Sequence, residues 1–385
     1  MKKRVVVLGA TGSIGESTLR VARALSDKIE IVGISGGQNV HRLLEIAREF
    51  PAARICAGDE LGAAALRSNL PGREVLHGAD GLETLAAMPE ADLVLVAIVG
   101  TSGLKPALRA LETDKDLAVA SKEILVMAGE QVMATAERMG GRVLPVDSEH
   151  NAVFQCLEGQ DPSTVKRLIL TCSGGPFRKA SATDLASVTP VQALKHPTWS
   201  MGRKISIDSA TLFNKGLEMI EARWLFNIPM EKIDVVIHPQ SIVHSMVEYV
   251  DGSIMSQMSS TDMALPIQYA LTYPERFAGP CTPLDLTKVG RLDFEEPRAD
   301  LFPALELARR AGIAGGTLPA VLNAANESAV EAFLAGRLSF PGIWESVARA
   351  MDKVAFVQHP TLDELIESDR AARAAVGYGE SRRGC

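Results

Sequence analysis

Val5-Val6-Val7-Leu8-Gly9-Ala10-Thr11-Gly12-Ser13-Ile14-Gly15 joins four branched apolar residues to three glycines spaced three apart. The apolar run predicts a buried strand, and the residues that follow, Glu16 to Ala24, have helical spacing. Without Cβ atoms at Gly9, Gly12 and Gly15, backbone can approach a pyrophosphate at a helix N-terminus. The turn therefore reads as a GxxGxxG relative of the dinucleotide fingerprint, opening a βαβ unit. The alternative is a tight turn with no ligand. Met1-Lys2-Lys3-Arg4 resembles the start of a secretion signal, but the apolar run after it ends at Gly9, too soon for one.

Outward from this turn, β-rich runs alternate with helix-period segments through residue 146, the pattern of a doubly wound parallel sheet. Strands are expected at Val5 to Leu8, Ile29 to Ile34, Arg54 to Ala57, Leu93 to Ala97, Leu117 to Ala120 and Arg142 to Pro145. Helices are expected at Glu16 to Ala24, Val40 to Phe50, Pro106 to Leu111 and Glu130 to Met139. From Asp147 the texture changes. Strands at Lys166 to Thr171, Asp234 to Ile237 and Ile242 to Val250 read as lacking crossover helices, so residues 147–273 are expected to form an α+β domain with a mixed or antiparallel sheet. Four prolines between Tyr273 and Arg298 mark residues 274–300 as a connecting segment. Helical spacing in Leu301 to Ala311, Pro319 to Leu334, Ile343 to Ala350 and Leu362 to Val376 predicts a helical bundle over 301–385.

The whole chain has 385 residues, 46% hydrophobic and 23% charged, an ordinary globular balance that excludes extended disorder and coiled coil. With 40 Lys and Arg against 47 Asp and Glu, the net charge of −7 argues against a nucleic-acid binder, which needs clustered cations. Five scattered cysteines form no CxxC pair and read as reduced thiols. Leu93 to Val99 falls far short of a membrane span of ~20 residues. A soluble cytoplasmic protein is the expectation.

The second strand tests the coenzyme. An NAD site usually ends this strand in a carboxylate that meets the ribose 2′-hydroxyl. Here it ends Ile34-Ser35-Gly36-Gly37-Gln38-Asn39, with no acid to repel a 2′-phosphate. That favours NADP, with His41 or Arg42 as a source of charge; the plainer reading makes both a solvated helix face.

Val146-Asp147-Ser148-Glu149-His150 places carboxylates at i and i+2 beyond a strand, so that in extended chain both project from one face. Hard cations such as Mg²⁺ and Mn²⁺ take oxygen ligands of this kind. A third ligand is available if Ser209 to Glu218 is helical, because Asn214, Lys215 and Glu218 would then share a face. Surface charge is the competing reading. Thr171-Cys172-Ser173-Gly174-Gly175 follows a strand and offers hydroxyl and backbone donors to a phosphate. His196-Pro197-Thr198-Trp199-Ser200-Met201-Gly202-Arg203-Lys204 has the make-up of a lid, and Ser121-Lys122-Glu123 lies where open α/β sheets bind ligands.

Taken in order, these segments, with His238 to Met246 and Asn323 to Glu327, resemble the 1-deoxy-D-xylulose 5-phosphate reductoisomerase family along essentially the whole chain. The resemblance implies a Rossmann-like doubly wound NADPH-binding domain (1–146), a central α+β catalytic and dimerisation domain (147–273) and a C-terminal helical domain. It implies a divalent cation, Mg²⁺ or Mn²⁺ with Co²⁺ as a further candidate, on Asp147, Glu149 and Glu218. Those three residues, Lys122 and His196 fall at catalytic positions. Lys122, Ser148, Glu149, Ser173, His196, Ser209, Asn214, Lys215 and Glu218 fall at positions that bind a small phosphorylated sugar. Thr11, Gly12, Ser13, Ile14, Gly37, Gln38, Asn39, Ser121, Glu123 and Gly202 fall at coenzyme positions, and Trp199 and Met201 in the lid. Two departures stand out: Gln38 replaces a frequent Lys, and Ser121 a frequent Asn. The implied activity is NADPH-dependent rearrangement and reduction by a homodimer that binds neither nucleic acid nor membrane. The alternatives are another NADP-dependent carbonyl reductase and a non-catalytic NADPH sensor.

Overall fold

The computed structural model describes residues 2–195, 198–199 and 201–377. Two compact units divide the chain: Met1–Ile124, Glu130–Asn151 and Asp262–Pro283 form the first, and Leu125–Gly129, Ala152–Thr261 and Leu284–Cys385 the second.

Seven parallel strands make the sheet of the first unit: β1 (Lys3–Leu8), β2 (Ile29–Gly36), β3 (Arg54–Ala57), β4 (Val75–His77), β5 (Leu93–Val96), β6 (Asp116–Val119) and β7 (Val143–Pro145). Their order is β4-β3-β2-β1-β5-β6-β7. Val5 to Leu8 and Leu93 to Val96 are fully buried, as central strands covered on both faces must be. The strand order reverses between β1 and β5, and a crevice at the carboxyl ends of such a pair is where open sheets of this kind take ligands.

Three elements here escape the sequence reading. β4 has only three residues, and the helices Glu60–Asn69 and Gly78–Ala86 each bury only three. The helix expected from Glu130 begins at Lys122 and runs to Met139, with one non-helical residue, Ala128.

In the second unit, β8 (Val165–Cys172), β9 (Ile233–Ile237), β10 (Val243–Tyr249) and β11 (Ile254–Met258) form a sheet of order β11-β10-β8-β9. β10 runs antiparallel to β8 and β11, whereas β8 and β9 are parallel. A parallel pair needs a crossover. Helices Ala182–Ala186, Pro190–Ala193, Arg203–Thr211 and Phe213–Phe226 supply it, correcting the expectation that these strands lack one.

Helices Ala304–Ala314, Leu318–Leu334, Gly342–Lys353 and Leu362–Val376 follow. They share one buried cluster with the sheet and its crossover, including Leu168 and Leu170 of β8, Phe213, Leu217, Ala308, Phe333 and Ala372. Phe340 packs edge-on against both Phe177, at 5.3 Å, and Phe333, at 5.6 Å. Between the sheet and these helices, the segment read as a connector contains a short helix, Leu286–Val289, and pairs Glu295 with Ile237. Among the described residues no helix is long and apolar enough to cross a membrane.

Candidate active site

The glycine turn is built by steric necessity. Gly9 has φ +95°, and a Cβ there would lie 2.6 Å from the Ala97 carbonyl oxygen. A Cβ on Gly15 would lie 2.4 Å from the Gly9 carbonyl oxygen. Ser35, buried at the end of β2, accepts the Gly9 N–H on Oγ at 3.0 Å and the Ala10 N–H on its carbonyl at 2.7 Å. This clasp was not foreseen from sequence; its signal was a serine just before Gly36-Gly37. Gly12 caps the helix Ser13–Ala24 with no side-chain hydrogen bond, so the first-turn N–H groups remain for an anion. Gly12 and Ser13 are exposed, and Thr11 and Ile14 half-buried.

Gly37, Gln38 and Asn39 are exposed beyond β2, and the Asn39 side chain accepts the Arg42 N–H, capping the helix Val40–Glu49. Arg42 is bound by two acids: its guanidinium donates to Glu16, at 2.9 Å through Nη2, and to Glu45 at 2.6 Å. Those hydrogen bonds, first to Glu16 and then to Glu45, raise its pKa well above the ordinary arginine value. The cation proposed for the 2′-phosphate is thus already paired within its own helix layer.

At the other side of the switch point, Ser121 donates its hydroxyl to the Ile98 carbonyl, and Ser121, Lys122 and Glu123 are buried. Lys122 Nζ pairs with Asp147 Oδ2. Asp147 does not continue a strand, because the helix Ser148–Leu157 begins at the next residue. This corrects the extended reading of Asp147 and Glu149. Their carboxylate oxygens nonetheless approach within 4.8 Å of one another. Asp147 Oδ1 accepts the Ser148 N–H at 2.9 Å, and Ser148 Oγ donates to Glu149 at 2.6 Å. A helix N-terminus tolerates this concentration of negative charge.

The second unit carries a different set. Leu212, at φ +65°, breaks Arg203–Thr211 from Phe213–Phe226. The first turn of the latter presents Asn214 Nδ2 and Lys215 Nζ to the two oxygens of Glu218, and Lys215 and Glu218 are buried. After β8, Gly174 and Gly175 take φ +79° and +65°, which fold the Ser173 loop back. A Cβ on Gly175 would lie 2.7 Å from the Ser209 carbonyl oxygen, so the loop lies directly on the helix end that carries Ser209. Hydroxyls at 173 and 209 and an amide and ammonium at 214 and 215 therefore gather in one unit, a donor set suited to phosphate. Half-buried Trp199 lies 6.4 Å from the His244 ring, and Met201 is half-buried. Gly202, exposed, caps the next helix. His196 lies outside the described residues.

A nucleotide-shaped turn on a parallel sheet, paired acids beside a buried lysine, and a phosphate-type donor set are what a dinucleotide-dependent oxidoreductase of anionic substrates requires. Family comparison narrows that class. Residues 5–129 match the family model for 1-deoxy-D-xylulose 5-phosphate reductoisomerase, and 143–226 and 258–375 match its two C-terminal domain models. The chain is 51% identical to the 1-deoxy-D-xylulose 5-phosphate reductoisomerase of Symbiobacterium thermophilum over 98% of each chain. It is 52% identical to that of Pelotomaculum thermopropionicum, over 96% of this chain and 97% of the other. A solved Zymomonas mobilis reductoisomerase in complex with NADPH superposes with a TM-score of 0.93 at 44% identity, covering 99% of this chain and all of the other. A second solved reductoisomerase, with NADPH, fosmidomycin and magnesium, gives 0.93 at 40% identity over 97% of each chain. The chain belongs to the 1-deoxy-D-xylulose 5-phosphate reductoisomerase family.

Proposed function

We propose that the chain rearranges and reduces 1-deoxy-D-xylulose 5-phosphate to 2-C-methyl-D-erythritol 4-phosphate, using NADPH and Mg²⁺ or Mn²⁺, in non-mevalonate isoprenoid precursor synthesis. What carries the reading is identity near 50% along the full chain with every proposed cation ligand present. The glycine turn and the helix without a side-chain cap suit the coenzyme pyrophosphate; Thr11, Gly12, Ser13, Ile14, Gly37, Gln38, Asn39, Ser121, Glu123 and Gly202 would bind NADPH. The all-carboxylate donor set of Asp147 and Glu149, completed by Glu218, suits a hard cation. When bound, the cation supplies Lewis acidity for the rearrangement and NADPH the hydride for the reduction.

The chain's own groups do the rest. Lys122, with its side chain 9% exposed, holds a positive charge where an oxygen must turn negative as the skeleton rearranges. Ser173, Ser209, Asn214 and Lys215 grip the phosphate, while Ser148, Glu149, His196 and Glu218 orient the hydroxylated end. Phosphate binding supplies energy remote from the chemistry, which can close the segment around Trp199 and Met201 and exclude water.

The proposed functional parts are 1–146, 147–273 and 301–385, joined by 274–300; family models over 5–129 and 143–226 support the first boundary, whereas the third, over 258–375, runs across the connector. Scattered cysteines with no CxxC pair suit a reducing, cytoplasmic setting. Edge strand β11, with Ile254, Met255 and Met258 exposed, supports a homodimer. A plain carbonyl reductase needs no trio of acids, and a coenzyme sensor has no use for a phosphate-type donor set.

The test is direct. Nicotinamide absorbance is expected to fall only when substrate, NADPH and Mg²⁺ or Mn²⁺ are all present, and chelation is expected to stop it. Metal-independent oxidation would overturn the reading. Glu218→Gln is expected to weaken cation binding in a fully folded chain; unchanged activity would remove Glu218 from the site.

A further inference from the structure

Helix Arg203–Thr211 ends beside the donors assigned to phosphate, yet its most buried acid serves neither them nor the solvent. Asp208 is 1% exposed. Its Oδ1 accepts from Asn326 Nδ2 at 2.8 Å, and its Oδ2 meets Lys204 Nζ at 2.7 Å. Asn326 belongs to helix Leu318–Leu334, is fully buried, and leaves its own Oδ1 without a hydrogen-bond partner among the described residues.

Such an arrangement is a poor way to gain stability. A buried carboxylate is costly to desolvate even when paired, and apolar side chains of the same volume usually serve a core as well or better. The orphaned amide oxygen adds to the cost. What the arrangement does supply is position. Lys204 stands at the first turn of the helix, two residues after Gly202 and at the end of the segment read as a lid. Asp208 stands one residue before Ser209. Thr211 tightens the last turn by donating to the Ile207 carbonyl at 2.9 Å and the Asp208 carbonyl at 3.2 Å. One carboxylate thus ties the helix to a second element outside the lid through Asn326 and, one turn back along the same helix, holds the Lys204 ammonium.

We propose that Asp208 is a positioning residue for substrate binding, anchoring helix Arg203–Thr211 on Asn326 and holding Lys204 at the point where the lid segment enters that helix. This rests on the roles given above to Ser209 and the lid. Asp208→Asn keeps the contact to Asn326 but turns an amide toward Lys204; Lys204→Gln leaves the buried Asp208 carboxylate without its cation and is expected to lower the melting temperature, so Asp208→Asn is the variant that isolates position from stability.

Each single variant is expected to raise the Michaelis constant for 1-deoxy-D-xylulose 5-phosphate and the dissociation constant for fosmidomycin about tenfold, and the double variant no further, because coupled residues are non-additive. NADPH affinity is expected to stay near the parent's in every variant, and the melting temperature in Asp208→Asn. Additive effects, parent-like substrate binding, or loss of NADPH affinity in step with thermal stability would each overturn the positioning role. A parent chain without turnover would instead overturn the functional reading, and this role with it.

Discussion

At position 38 the chain presents an amide where an ammonium could meet the 2′-phosphate, and the neighbouring Arg42 is bound by Glu16 and Glu45. Two carboxylates on one guanidinium leave that group with net negative charge, so Arg42 is poorly placed to compensate. Gln38→Lys is therefore expected to lower the Michaelis constant for NADPH by about three- to tenfold, the worth of one exposed charge-assisted hydrogen bond. An unchanged constant in steady-state titration would show that the 2′-phosphate is held elsewhere. Gly15 offers a contest of magnitudes. Alanine within a helix normally gains about 1 kcal/mol over glycine. Here its methyl would enter to 2.4 Å from a backbone oxygen and 2.5 Å from backbone carbon. Gly15→Ala is expected to lower both the melting temperature and NADPH affinity, and a stabilised variant would mean the turn opens freely.

Among elements, the linker-like residue Leu212 decides how two site-bearing helices join. Its left-handed backbone costs about 1 kcal/mol in a branched residue, which glycine would relieve. Its side chain, however, is 2% exposed in the core, and removing it costs about 2–5 kcal/mol. Leu212→Gly is thus expected to destabilise by about 1–4 kcal/mol in urea denaturation; a gain would mean that strain outweighs packing. Elements of this kind also show where sequence is readable. The strand, glycine turn and helix at 5–24 were plain because apolar periodicity and glycine spacing act locally. The β8–β9 crossover was not, since its two site helices have apolar residues on several faces and meet at a leucine rather than at a glycine or proline. The carboxylates of Asp147 and Glu149 approach one another at a helix start rather than along extended chain, and that start is hard to read because Ser148 carries no Pro or capping box. Asp208 and Asn326 lie 118 positions apart, and only folding brings them together.

For the molecule as a whole, association is the open property. Among the described residues β11 has a neighbouring strand on one side only, and Ile254, Met255 and Met258 are 53%, 42% and 38% exposed. The homodimer proposed through this edge predicts that lysine substitutions at Ile254 and Met255 together shift sedimentation from dimer to monomer, because a charged edge refuses a second strand. An unaltered dimer would place the interface elsewhere. The single core of the second unit has a different consequence, one of ancestry. Leu168 of the sheet and Ala372 of the last long helix belong to one cluster, so neither part has a finished interior without the other. Such helices make an unsuitable cassette for gene fusion or exchange. A lineage that lost or swapped them would have to rebuild the sheet beneath, and the two halves of that core are bound to change together.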